Sequence, residues 1–334
     1  MRRLKAGVIG LGIGERHIDG FRRATGVDVV ALCDMDPAKQ AMARDRYPGC
    51  IVYARADELL DDPQIDVVAI ATYDHHHASQ ILRAFEARKH VFSEKPLCVN
   101  EEELLAIREA RKRFPELRLS TNTILRMSPR FRDLRDRINR GELGKLYYAE
   151  ADYNYGRLVK LKDGWRGQIS DYSVMLGGGI HMVDLLLWLS GRRVVEVVAL
   201  GNKICSVGYS FNSPDLVVAI IRFDDGMLGK LSANFGCVYP HFHKVSVYGT
   251  EATFENGPVE ASLIRSRDRN VKPEQLDAAY PGIEKGDLIP NFIDSIRGTA
   301  CAEIEEDELF AAMEVCLAID RSWREGIPIR LGCV

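Results

Sequence analysis

Two short runs in this chain set acid–base side chains beside glycine or proline: Ser93-Glu94-Lys95-Pro96 and Gly177-Gly178-Gly179-Ile180-His181-Met182-Val183-Asp184. A positioned lysine steadies a developing oxyanion, and an imidazole takes or returns a proton near neutral pH. Pro96 fixes its own φ and biases Lys95 toward extended backbone, which gives the lysine a defined direction. His181 and Asp184 are three apart and share a helix face, as an acid–base pair would. The plainer alternative for His181 is a structural cap before an apolar helix, Leu185 to Leu189. The glycine turn at 177–179 lets a ring approach closely. Trp165-Arg166, just upstream, offers a stacking surface and an anion donor, or else core packing.

A third run, Lys5 to His17 (KAGVIGLGIGERH), reads as strand, glycine turn and helix start. Gly10 permits the turn. Gly12 lets backbone approach a pyrophosphate, and the helix N-terminus beyond Ile13 and Gly14 stabilises its charge. The third glycine is one residue early for G-x-G-x-x-G, and Glu15 holds the expected place. After a second apolar run, Val27 to Leu32, comes Asp34, 24 residues beyond Gly10, where a carboxylate holds ribose hydroxyls and repels a 2′-phosphate. NAD is therefore expected over NADP. The alternative for Asp34 is a turn residue; Asp36, before Pro37, is the helix cap. Thr72-Tyr73-Asp74-His75-His76-His77 follows another apolar strand. Consecutive histidines cannot converge on one ion and no carboxylate or Cys partner is evident, so no metal is expected. The run reads as a loop over the cofactor, with His77 starting the next helix.

These residues need a scaffold, and the first third of the chain supplies a βαβ pattern. Apolar strands alternate with helices from Arg16 to Ala24, Pro37 to Arg46, His77 to Arg88 and Glu101 to Phe114, as in a parallel sheet whose C-terminal strand ends carry the ligand. Near Asn122 the pattern changes to long alternating runs: Leu146 to Tyr155, Val194 to Lys203, Leu216 to Phe223, Met227 to Phe235 and Lys244 to Tyr248. Asp224-Asp225-Gly226 is a hairpin turn between two of them. Gln275 to Ile289 is polar and loop-like; helices at Asn291 to Gly298 and Asp307 to Glu325 follow. The expected architecture is α/β: an N-terminal Rossmann domain over 1–122 and, over 123–334, a domain with a large, mostly antiparallel open sheet for substrate binding and oligomerisation.

Composition agrees. A length of 334 residues accommodates two cores, and 46% hydrophobic with 28% charged residues is ordinary for a globular protein. A net charge of −3 points to no nucleic-acid or anionic-membrane partner. Met1-Arg2-Arg3 leads straight into the first strand, and no apolar run approaches a membrane span. The eight scattered cysteines, 33, 50, 98, 205, 237, 301, 316 and 333, form no C-x-x-C pair, which suits a reducing cytoplasm without disulfides or a cysteine metal site.

Together these motifs resemble the glucose–fructose oxidoreductase / inositol dehydrogenase / rhizopine-catabolism (Gfo/Idh/MocA) family over nearly the whole chain. The resemblance rests on the 10–14 glycine turn, Asp34, Thr72 with His77, Glu94-Lys95-Pro96, Asn122 with Arg126 and Pro129, the Gly141 to Gly144 turn and His181-x-x-Asp184. Tyr248 to Asn256 and the final helices add to it. It implies hydride transfer at a sugar or cyclitol hydroxyl, with Lys95 contacting the reacting hydroxyl and His181 moving its proton. It also implies an oligomer, a dimer or tetramer, through the open sheet. Two positions depart from the family pattern. Tyr73 stands where a proline is common, and Gly177 where members often carry an Asp four residues before the histidine. Either His181 lacks one orienting carboxylate, or another residue supplies it.

The resulting expectation is an NAD-dependent oxidoreductase acting on a secondary alcohol of a pyranose, cyclitol or nucleotide-linked sugar. Gly10, Gly12, Ile13, Gly14, Asp34, Thr72, Tyr73, His77, Glu94 and Lys95 face the cofactor; Lys95, Arg126, Trp165, His181 and Asp184 face the substrate. Two other readings remain at this stage: an epimerase, lyase or glycosidase that recycles tightly bound NAD, and a non-catalytic NAD sensor.

Overall fold

A computed structural model describes residues 2–169 and 172–332, so Met1 and Cys333 lie outside the described residues. The chain forms two compact units, Met1–Ile124 with Ile283–Phe310, and Leu125–Gly282 with Ala311–Val334.

In the first unit, strands β1 (Leu4–Ile9), β2 (Val27–Cys33), β3 (Ile51–Tyr53), β4 (Val67–Ile70), β5 (His90–Ser93) and β6 (Leu119–Thr121) alternate with helices α1 (Gly14–Arg23), α2 (Pro37–Arg46), α3 (Ala56–Asp61), α4 (His77–Glu86) and α5 (Glu101–Arg113). The sheet order is β3-β2-β1-β4-β5-β6, and every described pairing in it is parallel. This is a Rossmann sheet, with its strand order reversing between β1 and β4. β4 is buried along its whole length, as a strand covered on both faces must be. Asp36 caps α2 by accepting the Ala38 N–H, and Asn100 caps α5 through the Glu103 N–H. α1 begins at Gly14 rather than Arg16, so the third glycine is already helical.

The second unit opens with α6 (Pro129–Asn139), β7 (Leu146–Asn154) and the single turn α7 (Val159–Lys162), then α8 (Ile180–Ser190). Strands β8 (Val194–Asn202), β9 (Leu216–Phe223), β10 (Leu228–Asn234), β11 (Phe242–Gly249), β12 (Thr253–Asn256), β13 (Ala261–Ile264) and β14 (Glu274–Leu276) follow. Helix α9 (Leu288–Arg297) belongs to the first unit; α10 (Glu306–Glu325) and β15 (Ile329–Arg330) close the chain. The nine-stranded order is β14-β13-β12-β11-β7-β10-β9-β8-β15, antiparallel except where β10 runs parallel to β7. α8 packs on β7 and β10.

Two expectations change here. Residues 177–179 do not form a turn: Met175–Gly179 is a π-helical turn running straight into α8, so His181 sits inside a helix rather than capping one. The polar 275–289 stretch is not all loop, because β14 adds an edge strand beside β13 and α9 starts at Leu288. Among the described residues no helix is long and apolar enough to cross a membrane.

One ion pair braces α8 from within. Arg126 Nε and Nη2 donate to the two Asp184 oxygens at 3.0 and 2.7 Å, and the side chains are 0% and 1% exposed. Removing one member strands a buried charge, whereas removing both leaves an apolar site. Arg126→Met should therefore lower the unfolding free energy by ~3–5 kcal/mol, and Arg126→Met with Asp184→Leu should recover most of it, read by urea titration. A single variant as stable as wild type would show that the pair is open to water.

Candidate active site

The glycine turn is shaped by what surrounds it. Gly10 has φ +89°, and a β-carbon there would lie 2.4 Å from the Ala71 carbonyl oxygen, so the turn closes directly on the backbone after β4. A β-carbon at Gly14 would meet Val8 at 2.9 Å, which explains how closely α1 approaches β1. Gly12 is different. The nearest atom to its β-carbon position is the Lys39 ammonium, 4.0 Å away, so the backbone there is open. Ile13, at the N-cap of α1, is exposed and provides no side-chain cap among the described residues, which leaves the first N–H groups of the helix for a phosphate.

Asp34 fills the turn role open to it in the sequence. Its buried carboxylate accepts the Leu11 N–H at 2.7 Å and the Asp36 N–H at 2.9 Å, which ties the end of β2 to the glycine turn. The Lys39 ammonium lies 3.3 Å from the same carboxylate.

The strand ends after β4 and β5 are tied together by one ring. His77 is fully buried, with Nδ1 2.6 Å from the Pro96 carbonyl oxygen and Nε2 3.1 Å from that of Thr72. Its ring bridges the two loops with no exposed surface. Thr72 donates its hydroxyl to Gln80 at 2.8 Å, and Tyr73 is exposed beside His75. Glu94, expected at the cofactor, is turned inward: its Oε1 accepts from His17 Nε2 at 3.1 Å and Asn122 Nδ2 at 2.7 Å. Burial pushes this carboxyl up, but the His17 hydrogen bond and the charges of His17, Lys285 and Lys95 outweigh it and hold it well below the ordinary 4.5. Its ionised form therefore contributes stability above about pH 4.5 that is lost as pH falls through the depressed folded value. Lys95 follows directly, half-buried at the end of β5.

In the second unit His181 lies 4% exposed on α8, its ring stacked on Tyr153 of β7 at 6.0 Å and 26°. The glycines before it make room for two tyrosines. A β-carbon at Gly178 would fall 2.4 Å from the Tyr153 ring, and one at Gly177 would fall 1.7 Å from the Tyr172 hydroxyl. Arg166 Nε donates to that hydroxyl at 2.9 Å, and its guanidinium lies 4.4 Å from the centre of the Trp165 ring, which in turn meets Tyr172 edge-on. Trp165 is thus interlocked with Arg166 and Tyr172. Asp184 faces Arg126 rather than pairing with His181. Arg126 and Asp184 are buried against one another. Among the described residues no group of three His, Cys, Asp or Glu is placed to hold a metal ion.

Comparison with known proteins agrees with this arrangement. Residues 4–116 match the family model of an oxidoreductase family with an NAD-binding Rossmann fold, and 131–255 match the GFO/IDH/MocA C-terminal domain. The chain belongs to the Gfo/Idh/MocA oxidoreductase family. Inositol 2-dehydrogenase of Corynebacterium glutamicum (strain R) is 26% identical over 257 residues, 76% of this chain and 72% of that protein. The scyllo-inositol 2-dehydrogenase (NAD(+)) of Bacillus subtilis (strain 168) is 26% identical over 295 residues, 82% of this chain and 80% of that one. A structure of levoglucosan dehydrogenase in complex with NADH and levoglucosan shares the fold, with a TM-score of 0.87 at 20% identity over 100% of both chains.

This Gfo/Idh/MocA member is an enzyme, an oxidoreductase that uses NAD, and its residues suit that cofactor. The open Gly12 backbone and the uncapped start of α1 form a cradle for a pyrophosphate, and Asp34 stands beside it. Sequence reasoning missed His17, Lys39, Tyr153, Tyr172 and His243. His17, Tyr153 and His243 belong to elements read correctly or nearly so, but they meet one another or Glu94 from far away in the chain, whereas Lys39 and Tyr172 meet the nearby Asp34 and Arg166. Only the three consecutive glycines hinted that something large must press on them.

Lys39 sharpens the cofactor expectation, because an ammonium beside Asp34 softens its repulsion of a 2′-phosphate. Asp34→Asn should weaken NADH binding by roughly tenfold, the ~1.5 kcal/mol of a hydrogen bond to a charged group, and narrow the preference over NADPH. Lys39→Ala should widen that preference. Fluorescence titration with both reduced cofactors checks this, and a wild-type preference for NADPH would overturn the assignment.

Proposed function

We propose that the enzyme transfers hydride between NAD and a secondary alcohol of a sugar, cyclitol or nucleotide-linked sugar. The observation that carries this reading is the buried imidazole of His181, stacked on Tyr153 in a helix whose backbone is opened by three glycines. The family relatives named above as inositol dehydrogenases support the substrate class. NAD, when bound, supplies the hydride acceptor. In the oxidative direction His181 takes the hydroxyl proton, and the Lys95 ammonium steadies the alkoxide that develops as the carbon–hydrogen bond breaks. Thr72 and Tyr73 bound the nicotinamide end. Glu94 acts through position: held by His17 and Asn122, it fixes the backbone from which Lys95 projects. A cytoplasmic site of action belongs to the same reading, supported by seven described cysteines that are all free thiols.

A panel of cyclitols, hexoses, anhydrosugars and nucleotide-sugars with NAD should reveal NADH formation on at least one class. On that compound His181→Ala should lower turnover by ~10²–10⁴-fold and abolish the ascending imidazole limb of the rate–pH profile. Lys95→Ala should lose comparable activity, while NADH affinity in the His181 variant stays near wild type. Wild-type turnover in His181→Ala would make the histidine structural.

An oligomer through the outer face of the nine-stranded sheet completes the proposal. Val198, Leu200, Ile220 and Leu228 point to the face away from α8, and Leu200 is 76% exposed. Val198 pairs with Ile220 across adjacent strands, so these two apolar groups are contiguous. Sedimentation should show a dimer or tetramer, and Ile220→Lys should shift it toward monomer. A wild-type monomer at micromolar concentration would refute this.

A further inference from the structure

Three of the chain's eight histidines gather on one side of the second unit, and the reaction scheme uses one of them. His181 and His243 are 6.4 Å apart, centre to centre, and His243 and His241 are 4.8 Å apart. Burial falls along this series: His181 is 4% exposed, His243 is 8%, and His241 is exposed. His243 lies on β11 and His241 immediately precedes the strand, two residues away, so both side chains turn to the same face. That face carries Tyr153, whose ring lies 6.0 Å from His181, 5.5 Å from His243 and 5.1 Å from His241.

The partners of these rings suit proton movement. The Tyr280 hydroxyl lies 2.6 Å from His243 Nδ1 and accepts the His243 backbone N–H at 3.1 Å. A hydroxyl both donates and accepts, so Nδ1 keeps its partner whichever ring nitrogen carries the proton. Burial pushes the Tyr280 phenol up to about 12 and raises Tyr153 as well, so both phenols stay protonated and able to relay. Tyr155 lies beside His241 at the outer end, with the Arg157 guanidinium over the Tyr155 ring.

Alcohol oxidation gives a carbonyl, a hydride on NAD and one proton that must reach water. A general base only 4% exposed has little direct contact with water for releasing that proton. We propose that His243 and His241 relay it, from the His181 imidazolium to His243 and then from His241 to solvent. In each step one ring N–H breaks as the next forms, with a water or the Tyr153 hydroxyl bridging the wider first gap. Hydride transfer is unchanged, and in the reductive direction the same series delivers a proton inward. This rests on the reading of His181 as the proton acceptor.

The test combines buffer dependence with chemical rescue, using whichever panel compound the wild-type enzyme oxidises. In dilute buffer His241→Ala and His243→Asn should turn over about tenfold more slowly than wild type, short of the ~10²–10⁴-fold of a direct acid–base group. Added imidazole should restore them without affecting wild type, a response that a merely structural role would not give. If His181→Ala abolishes turnover while both relay variants match wild type at every buffer concentration, the relay is wrong and the His181 assignment stands. If His181→Ala keeps turnover, the assignment itself falls, and the relay with it. Should His243→Asn fail to fold, the exposed His241→Ala decides alone. With no oxidisable compound, NMR exchange of the His181 ring N–H with water in the NAD-bound protein serves instead. Slower exchange in His241→Ala, restored by imidazole, supports the relay; unchanged exchange overturns it.

Discussion

A β-carbon at Gly10 would lie 2.4 Å from the Ala71 carbonyl oxygen, and one at Gly178 would lie 2.4 Å from the Tyr153 ring. In both units bare backbone is pressed against a neighbour. In the first, closure of the turn on the chain after β4 leaves the start of α1 without a side-chain cap and brings the Leu11 N–H onto Asp34. In the second, the missing side chains at 177 and 178 admit Tyr172 and Tyr153 against the helix that carries His181. A glycine in a helix interior costs ~1 kcal/mol relative to alanine, and here three together are offset by the packing they permit.

The units differ in how they treat buried charge. Glu94 is kept ionised by His17, Asn122 and nearby lysines, so a carboxylate sits under the strand end from which Lys95 projects. Arg126 and Asp184 neutralise one another beneath α8 and hold the helix in place.

Much of this was legible in local pattern. The parallel sheet follows from apolar runs spaced by helical stretches, and α2 runs from Pro37 to Arg46 as its Asp36 cap and proline predict. The alternation of β9 marks its ends correctly, because a strand buried on one face shows a period of two. The π-helical turn at Met175–Gly179 was not legible, since consecutive glycines read as a turn until the tyrosines that require them are in place. Nor was β14, a polar edge strand defined by pairing with β13.

Residue type and spacing by themselves determined the dinucleotide fold, the family, and the placement of Asp34, Lys95 and His181 on a strand end or helix, because those signals are carried within a few residues. Tertiary structure alone decided what each side chain meets. Arg126 and Asp184, 58 residues apart, became a buried ion pair. His77 became a bridge between Thr72 and Pro96. His241 and His243 were drawn toward His181 by the pairing of β11 with β7. Such partners are chosen by burial and sheet register, which act across the whole chain and leave no mark in the local sequence.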